Sequence, residues 1–515
     1  MKKTDDDKLF KLMKAMSEDE TAFFRKHFLN ESSGKDSAAA RLFELLRTEA
    51  TYDEGSILRT LEIKPESLPV IKSNLYSDII DSLRISAPPQ SPEREVSIMI
   101  EQAEVLIAKN LFKEAMQLLL KAEELAMREH AIYHTGIIKS RKIWLSQFLA
   151  DDNYLEKTQQ YCDEIIENAN DILLTQRIYN MCVLSTTVML KANFGRNKAD
   201  LKLLEKIVDN DLFRPDTLQY HHKNKLYLLV AKAHYCNHRG EFDKAYEFTR
   251  AIWEEVNRHR EETGKESGSD PLNACMELIT AACNAKKFKE AGECFEEFKH
   301  LVKKYYPGAV FYEGICLYFE CLLDDFVKGV KLNNPEFKKL VDFSNSKKFS
   351  MLPPAVSRAT DLLIADIFFS NKEFEKSLVH SKKLAFEKST SMTRIDQLTS
   401  GRILHLMAMF EITYESKGRV FKCKDTLMHV RAKQFYETVR KLEDNYQYER
   451  LVFRFFMHLP EKTDAKELAK IFEKHTDDID RLKSRFGNEY MLPMLLTLDI
   501  QKWIGKKLKE YKKLL

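Results

Sequence analysis

The chain of 515 residues contains 15 Gly and 13 Pro, too few turn-forming residues for an all-β architecture with many hairpins. Its 82 Lys and Arg residues nearly balance 79 Asp and Glu residues, so the net charge of +3 supplies no general attraction to nucleic acid or acidic lipid. With 44% hydrophobic residues the chain has ample material for a core, so we expect an ordered, almost purely α-helical protein.

Cysteine usage and the N-terminal residues predict a cytoplasmic protein. The nine cysteines are odd in number and include no CxxC pair, which favours reduced core residues over a disulfide framework. The N-terminal residues 1–16 begin with two lysines at positions 2 and 3, continue into three aspartates at positions 5–7, and contain no apolar run like that of a secretory signal. No stretch approaches the roughly eighteen consecutive apolar residues that a membrane span needs. We therefore expect a soluble protein without a transmembrane segment.

Residues 1–87 are predicted to form an N-terminal helical bundle. The bundle ends at the proline-rich segment 87–92, because this segment cannot continue a helix. Apolar residues within 9–16 recur at helical spacing, and residues 17–20 form a capping box that begins the next helix. The rest of the segment shows the same helical spacing of apolar residues. A small bundle of helices is therefore expected.

The second half of this segment, residues 53–84, could be mistaken for a helix-turn-helix reader of DNA. Its second helix carries Lys72 and Arg84, but it also carries Asp78 and Asp81. A DNA-reading surface needs several basic side chains to offset the phosphate charge. Nucleic-acid binding is therefore disfavoured and is kept as an alternative interpretation of the N-terminal segment.

A recurring motif follows the bundle and is the most informative feature of the sequence. The aromatic residue of this motif would fill the gap between two antiparallel helices, and a small residue three positions later would permit close approach of their backbones. Weaker copies lie near residues 154, 197, 335 and 420. The spacing of about 40 to 46 residues predicts about eight helix pairs between 93 and 445. The four clear copies are Phe112 with Ala115, Phe242 with Ala245, Phe288 with Ala291, and Phe374 with Ser377.

This motif resembles the start of the second helix of the tetratricopeptide-repeat superfamily. Ala103, Ala233 and Ala365 stand nine residues before the aromatic residues of their units and match the small residue of the family's first helix. The resemblance covers about two thirds of the chain, which is also similar to uncharacterised bacterial helical-repeat proteins. It implies a right-handed α-solenoid of helix-turn-helix repeats, with residues 446–515 as a C-terminal helical cap.

The resemblance also implies a groove that binds another protein or a peptide. Carrying the family's groove-facing positions of the first helix onto this chain gives residues of mixed chemistry. Tyr227 would supply an aromatic anchor, and the charged residues would set specificity. The predicted groove residues are Glu104, Lys139, Lys142, Tyr227, His234, Asn273, Thr280 and Asp366.

Motifs of catalytic and nucleotide-binding sites are absent from the sequence. It contains no Walker loop, no GxGxxG, no GxSxG elbow and no HExxH. His234 and His238 lie one helical turn apart, a spacing that could hold a metal, but Cys236 between them points away by about half a turn and no evident third and fourth ligand lies nearby. Neither a metal nor a cofactor is therefore predicted.

The last fifteen residues, 501–515, predict a basic amphipathic helix with six lysines and one glutamate. Trp503, Ile504, Leu508 and Tyr511 lie on its apolar face. The favoured interpretation is a capping helix whose apolar face packs on the last repeat while its lysines stay in water. The alternative is peripheral contact with an anionic membrane or with an acidic partner.

Taken together, the patterns predict a non-catalytic scaffold that binds another protein or a peptide. Two alternatives stay open. One is a regulatory protein whose N-terminal helices contact nucleic acid or the transcription machinery while the repeats sense a peptide. The other is an enzyme with an unrecognised site in the groove.

Overall fold

The computed structural model describes residues 7–29, 37–49, 51–86, 92–129, 131–149, 153–191, 198–213, 222–263, 269–388, 395–417, 420–423, 426–441, 446–486 and 500–515. These residues form 23 α-helices and three short β-strands, and consecutive helices pack against one another. The chain divides into two compact units, residues 1–102 and 103–515. The prediction of an all-α fold is confirmed, with the short strands as an addition.

The first unit is a helical bundle with its own apolar core. Met13, Phe24, Phe43 and Leu75 are completely buried in it. The predicted capping box is confirmed, because the side chain of Ser17 and that of Glu20 each accept the other residue's backbone N–H, at 3.2 and 2.7 Å. The proline-rich residues 87–91 lie outside the described part of the chain. The helices of this unit are α1 (Lys8–Ala15), α2 (Glu18–Phe24), which continues as a π-helical turn (Arg25–Leu29), α3 (Ala38–Thr48), α4 (Glu54–Leu61) and α5 (Leu68–Ser86).

Helix α6 (Pro92–Ala108) contains the boundary between the units, and the second unit continues with helices in close succession. Two short 3-10 helices, Asp211–Phe213 and Lys347–Met351, interrupt the series. The helices up to the sheet are α7 (Phe112–Arg128), α8 (Ile132–Phe148), α9 (Tyr154–Lys191), α10 (Lys198–Val208), α11 (His222–His238), α12 (Phe242–Thr263), α13 (Ser269–Asn284), α14 (Phe288–Tyr305), α15 (Val310–Lys328), α16 (Pro335–Ser344), α17 (Pro354–Ser370), α18 (Phe374–Ala385) and α19 (Ile395–Thr413).

The C-terminal part of the second unit combines a small sheet with four helices. The antiparallel strands β1 (Tyr414–Lys417), β2 (Val420–Cys423) and β3 (Lys462–Asp464) lie in that order in the sheet. The helices are α20 (Leu427–Arg440), α21 (Gln447–Met457), α22 (Ala465–Phe486) and α23 (Ile500–Lys513).

The four clear copies of the motif fold into the same turn. The residue two positions before each aromatic residue adopts a left-handed conformation: Asn110, Gly240, Lys286 and Lys372, with φ between 60 and 73°. The next residue donates its N–H to a carbonyl five positions back, at 2.8 to 2.9 Å, as in a Schellman motif. Each aromatic residue is then the first residue of a helix, α7, α12, α14 or α18. The predicted reversal of the chain is confirmed at these four positions.

The small residue of each copy allows two helices to approach closely. Ala115, Ala245, Ala291 and Ser377 are all completely buried. In the last copy, Ser377 Oγ donates to the carbonyl oxygen of Ala365 at 2.8 Å, which joins the small residues of helices α17 and α18 directly. A larger side chain at these positions would separate the backbones.

Helix α9 differs from the predicted series of helix pairs. The second helix of one predicted pair and the first helix of the next form a single helix, because residues 154–191 contain no glycine or proline. Its first half packs on α8, where Asn168 Nδ2 donates to the carbonyl of Ile132 at 3.1 Å. Its second half packs on α11, where Asn224 Nδ2 donates to Thr175 Oγ1 at 3.1 Å. The anchor predicted near 197 lies outside the described residues.

The prediction of a further copy of the motif near residue 420 is wrong. Phe421 does not begin a helix but lies in strand β2, opposite Thr463 of β3. Its ring is buried 5.2 Å from the ring of Tyr511 in α23. Successive side chains of a strand point to opposite faces of the sheet. Phe421 and Cys423, two residues apart, therefore both face the core, as a strand requires.

The C-terminal helix α23 packs inside the second unit. Trp503, Ile504 and Tyr511 are buried, and Trp503 Nε1 donates to Glu411 of α19 at 2.7 Å. Lys507 Nζ donates to the other carboxylate oxygen of Glu411, also at 2.7 Å. The apolar face of this helix is therefore occupied by protein and is not presented to a membrane.

Candidate partner-binding surfaces

The predicted groove residues divide into a buried group and an accessible group. Lys139, Lys142, His234 and Asp366 are buried. Glu104, Asn273 and Thr280 are exposed, and Tyr227 is half-buried against Tyr179 with ring centroids 5.2 Å apart. The buried residues cannot contact a partner in this conformation. The role of the other four in partner binding stays a prediction.

The two lysines are buried because neighbouring helices supply carboxylates for them. Lys142 of α8 pairs with Glu123 of α7, and its ammonium group lies 4.4 Å from the ring centroid of Tyr161. Lys139 pairs with Glu164 of α9. A buried ion pair of this kind holds helices in register, and it leaves neither charge available to a ligand.

The histidines of α11 are also engaged within the helix packing. His234 Nδ1 hydrogen-bonds Ser185 Oγ of α9 at 3.1 Å, and burial lowers the pKa of His234 to about 4. Burial lowers the pKa of His238 to about 4 as well, and it raises the pKa of Cys236 to about 11. In the described part of the chain, no group of three or more His, Cys, Asp or Glu residues could hold a metal ion.

An exposed polar face remains on α13, at the predicted residues Asn273 and Thr280. Glu277 lies between them on the same face and is also exposed. Nevertheless, desolvation by surrounding protein raises the pKa of Glu277, and its charge contributes to the raised pKa of Cys182 in α9. Sequence reasoning missed Glu277, although its spacing of four and three from the predicted residues could have identified it.

Helix α8 carries an apolar stripe that the sequence analysis did not identify. Tyr133, Ile137, Trp144 and Phe148 are 52%, 48%, 39% and 51% exposed. Their spacing of four, seven and four residues places them on one face of the helix. Below, "the α8 stripe" means these four residues.

The opposite face of α8 is already packed against its neighbours. Ile138, Lys142 and Leu145 are buried on that face. The α8 stripe is therefore a second apolar surface, separate from the face with which the helix packs into the core. The signal in the sequence was the presence of large apolar residues on both faces of one predicted helix. The groove positions implied by the family resemblance, Lys139 and Lys142, lie on the other face.

Three aromatic rings make one end of the α8 stripe rigid. The ring of Phe112, the motif residue that begins α7, lies 5.9 Å from that of Trp144 and 5.1 Å from that of Phe148. Trp144 and Phe148 lie 4.5 Å apart. Rings held against one another in this way present apolar area with little side-chain freedom left to lose on binding.

In the first unit, Lys72 is not available to contact phosphate. Its ammonium group pairs with Asp7 and donates to Tyr52 Oη at 2.8 Å. Arg84, the other cation on which the DNA-binding alternative depended, pairs with Asp81 of the same helix, with Nε and Oδ1 3.6 Å apart. The alternative gains no support from this arrangement.

Comparison with protein-family models gives no match, and comparison with curated proteins gives none either. Among the described residues, every helix is too short or too polar to cross a bilayer.

Proposed function

We propose that this protein is a non-catalytic scaffold that binds another protein through the α8 stripe. One observation carries the proposal: four large apolar side chains lie exposed on one face of a helix whose opposite face is fully packed. Exposed apolar surface that is contiguous and partly aromatic marks an interaction site more often than scattered single residues do.

The dimensions of the stripe suit an amphipathic helix or an extended segment of a partner. The sixteen residues from Tyr133 to Phe148 span about 22 Å, or a little more than four helical turns. Trp144 and Phe148, at one end of the stripe, would act as the main anchors, because large aromatic residues dominate the energetics of interfaces. Arg141, which adjoins the stripe and pairs with Glu104 at 2.7 Å, would contribute to the polar rim.

The scaffold itself would be a right-handed α-solenoid of tetratricopeptide-like repeats. Four identical turns and four buried small residues support this part of the proposal. Stacked helix pairs hold their surfaces in fixed relative positions, so a stripe on one helix is presented without a large ordering cost. The exposed polar face of α13 would then be a second contact surface on the same array.

The lowered pKa values of the buried histidines do not suit general-base catalysis near pH 7. Burial lowers the pKa of His405 and His475 to about 4, as it does for the two histidines of α11. A general base is most effective with a pKa near the working pH, and these imidazoles are buried and neutral there. The proposal therefore assigns these residues to packing.

Photo-crosslinking in the protein's own cells tests the proposal. The substitutions Ile137→p-benzoylphenylalanine and Phe148→p-benzoylphenylalanine should each capture the same second protein, identified by mass spectrometry. The matched control is Val379→p-benzoylphenylalanine, at a residue of α18 that is 61% exposed. With the captured protein purified, Trp144→Ser should weaken binding at least tenfold, and Val379→Ser should not.

Two outcomes would contradict the proposal. In the first, both stripe positions capture nothing, or they capture the same proteins as position 379. In the second, they capture only another copy of this chain, which would make the stripe a homo-oligomer interface.

A further inference from the structure

Two guanidinium groups lie over a cluster of aromatic rings contributed by α19, by α20 and by the residue that follows α18, and a lysine of α18 lies near the same cluster. Lys382 belongs to α18, Arg402 to α19 and Arg431 to α20. The rings are those of Phe386, Phe435 and His405, whose centroids lie 5.5 to 6.4 Å apart. The cations and rings together are called the α18–α20 cluster below.

Arg402 is the deepest cation of the cluster. It is only 6% exposed, and burial lowers its pKa. Its guanidinium lies 5.6 Å from the ring centroid of Phe435, and Nε donates to the carbonyl of Ala385 at 3.3 Å. One of its five N–H groups is thereby used, at the C-terminal end of α18.

Arg431 and Lys382 lie closer to the surface. The guanidinium of Arg431 lies 4.5 Å from the ring centroid of Phe386, and Nη1 donates to Gln434 Oε1 at 3.0 Å. Lys382 is exposed. Both are near enough to His405 for their charges to add to the effect of burial in lowering the pKa of that imidazole. His405 is therefore neutral near pH 7 and adds no charge of its own.

No carboxylate in the described part of the chain forms an ion pair with any of these three cations. Each of the buried lysines of α8, by contrast, has a glutamate. Burying a guanidinium without a counterion is unfavourable, and the carbonyl of Ala385 with the face of Phe435 offsets only part of this cost. Among the described residues, no carboxylate neutralises the positive charge of these cations, and an external anion would do so.

We propose that Lys382, Arg402 and Arg431 form a binding site for a phosphate group. Three cations favour a group that carries close to two negative charges over a single carboxylate, and two guanidinium groups match the geometry of phosphate oxygens. The phosphate could be free inorganic phosphate or part of a phosphorylated side chain. This site lies on other helices than the α8 stripe, so it does not rest on the proposed function.

The site is tested by thermal unfolding of the full chain in potassium phosphate against potassium chloride of equal ionic strength. The wild-type protein should show a higher Tm in phosphate, and the concentration dependence gives an apparent affinity. Arg431→Gln and Arg402→Lys should each weaken that affinity at least tenfold. Arg431 is near the surface and Arg402→Lys keeps the charge, so at least one of the two variants should fold.

Arg454→Gln is the matched control. The guanidinium of Arg454 also rests on an aromatic ring, that of Tyr436 at 5.2 Å, and donates to its hydroxyl group, but it belongs to α21. The phosphate affinity of this variant should equal that of the wild-type protein.

The source of the phosphate is separated by a second titration with a phosphoserine peptide and its unphosphorylated form. Tighter binding of the phosphopeptide than of inorganic phosphate would assign the site to a phosphorylated protein, and equal binding would assign it to the free ion. Equal Tm values in phosphate and chloride would overturn the proposal. So would an Arg454→Gln variant that loses phosphate affinity as strongly as Arg431→Gln.

Discussion

Buried cations have opposite surroundings in helices α7–α9 and in helices α18–α20. In the first region, Lys139 and Lys142 meet Glu164 and Glu123. In the second region, the guanidinium of Arg402 contacts a carbonyl oxygen and an aromatic ring, and no carboxylate of the described residues pairs with it. In the first region, the glutamates neutralise the lysines, so these charges belong to the helix packing. In the second region, no carboxylate of the described residues neutralises the guanidinium, so a bound anion could do so.

The two regions also differ in where their large apolar residues lie. The α8 stripe is exposed, whereas Phe435, Leu404 and Met407 of the second region are buried in one extensive core. An exposed stripe above a compensated interior suits protein binding, and cations above a packed aromatic interior suit anion binding. Four measurements test this difference.

The largest effect is expected from removing a carboxylate in the first region. Glu123→Gln should lower the free energy of unfolding by about 3 kcal/mol, because Lys142 then keeps a buried charge without its partner. Chemical denaturation followed by circular dichroism measures the change. The double variant Glu123→Gln with Lys142→Met should recover much of the loss, since both charges are gone. A loss below about 1 kcal/mol in the single variant would show that the pair is effectively solvated.

A steric change in the second region should have the next largest effect. A Cβ atom at Gly401 would lie 2.5 Å from Leu384 Cβ, so Gly401→Ala must push α18 and α19 apart. We expect a loss of about 2 to 3 kcal/mol in thermal or chemical unfolding. The control is Gly292→Ala in α14, where nothing lies within 4 Å. This control should raise stability by about 0.5 to 1 kcal/mol, because alanine favours the helix.

Acid should weaken the second region through His405. Its folded pKa of about 4 lies below its unfolded value near 6.5, so the unfolded chain binds the proton more readily. The stability that this neutral imidazole contributes is complete above pH 6.5 and is lost as the pH falls from 6.5 to 4. Between pH 7 and pH 5, the share of this loss that belongs to His405 should be about 2 kcal/mol.

Two variants check the origin of this pH dependence in urea titrations at both pH values. His405→Gln should remove most of the His405 share of the loss. Arg431→Gln should reduce that share, since a nearby positive charge disfavours the protonated imidazole. An unchanged pH dependence in His405→Gln would assign the acid sensitivity to other groups.

The smallest effect on stability is expected at the α8 stripe. Ile137→Ser should change the free energy of unfolding by less than about 1 kcal/mol, because half of this side chain is already in water. The same variant should reduce binding of the crosslinked partner. Differential scanning calorimetry measures the first effect and a binding titration the second. A large loss of stability with unchanged binding would make the stripe a structural surface.

The sequence predicted the local features of the fold well. The four turns depend on residues within a few positions of one another, and the aromatic and small residues of each copy lie in the predicted places. Phe421 was misassigned because the same pattern of residues also suits a strand, and its pairing with Thr463 joins segments about forty residues apart. Helix α9 was wrongly predicted as two helices. The prediction relied on a repeat spacing of 40 to 46 residues, although residues 154–191 contain no glycine or proline to end a helix.

The candidate sites were much less predictable. Lys139 and Lys142 were expected in a groove, yet Glu164 and Glu123 draw them into the helix packing. The α18–α20 cluster could not be predicted, because its cations lie on three helices and their lack of carboxylate partners is a property of the whole neighbourhood.

The sequence by itself determined the helical class, the four turns and the buried small residues, because these follow from periodicity and from backbone conformation over short stretches. Only the tertiary structure decided which face of α8 is covered and which buried cations have counterions. The physical reason is that burial and charge compensation depend on atoms contributed by other helices, at distances along the chain that no local pattern records.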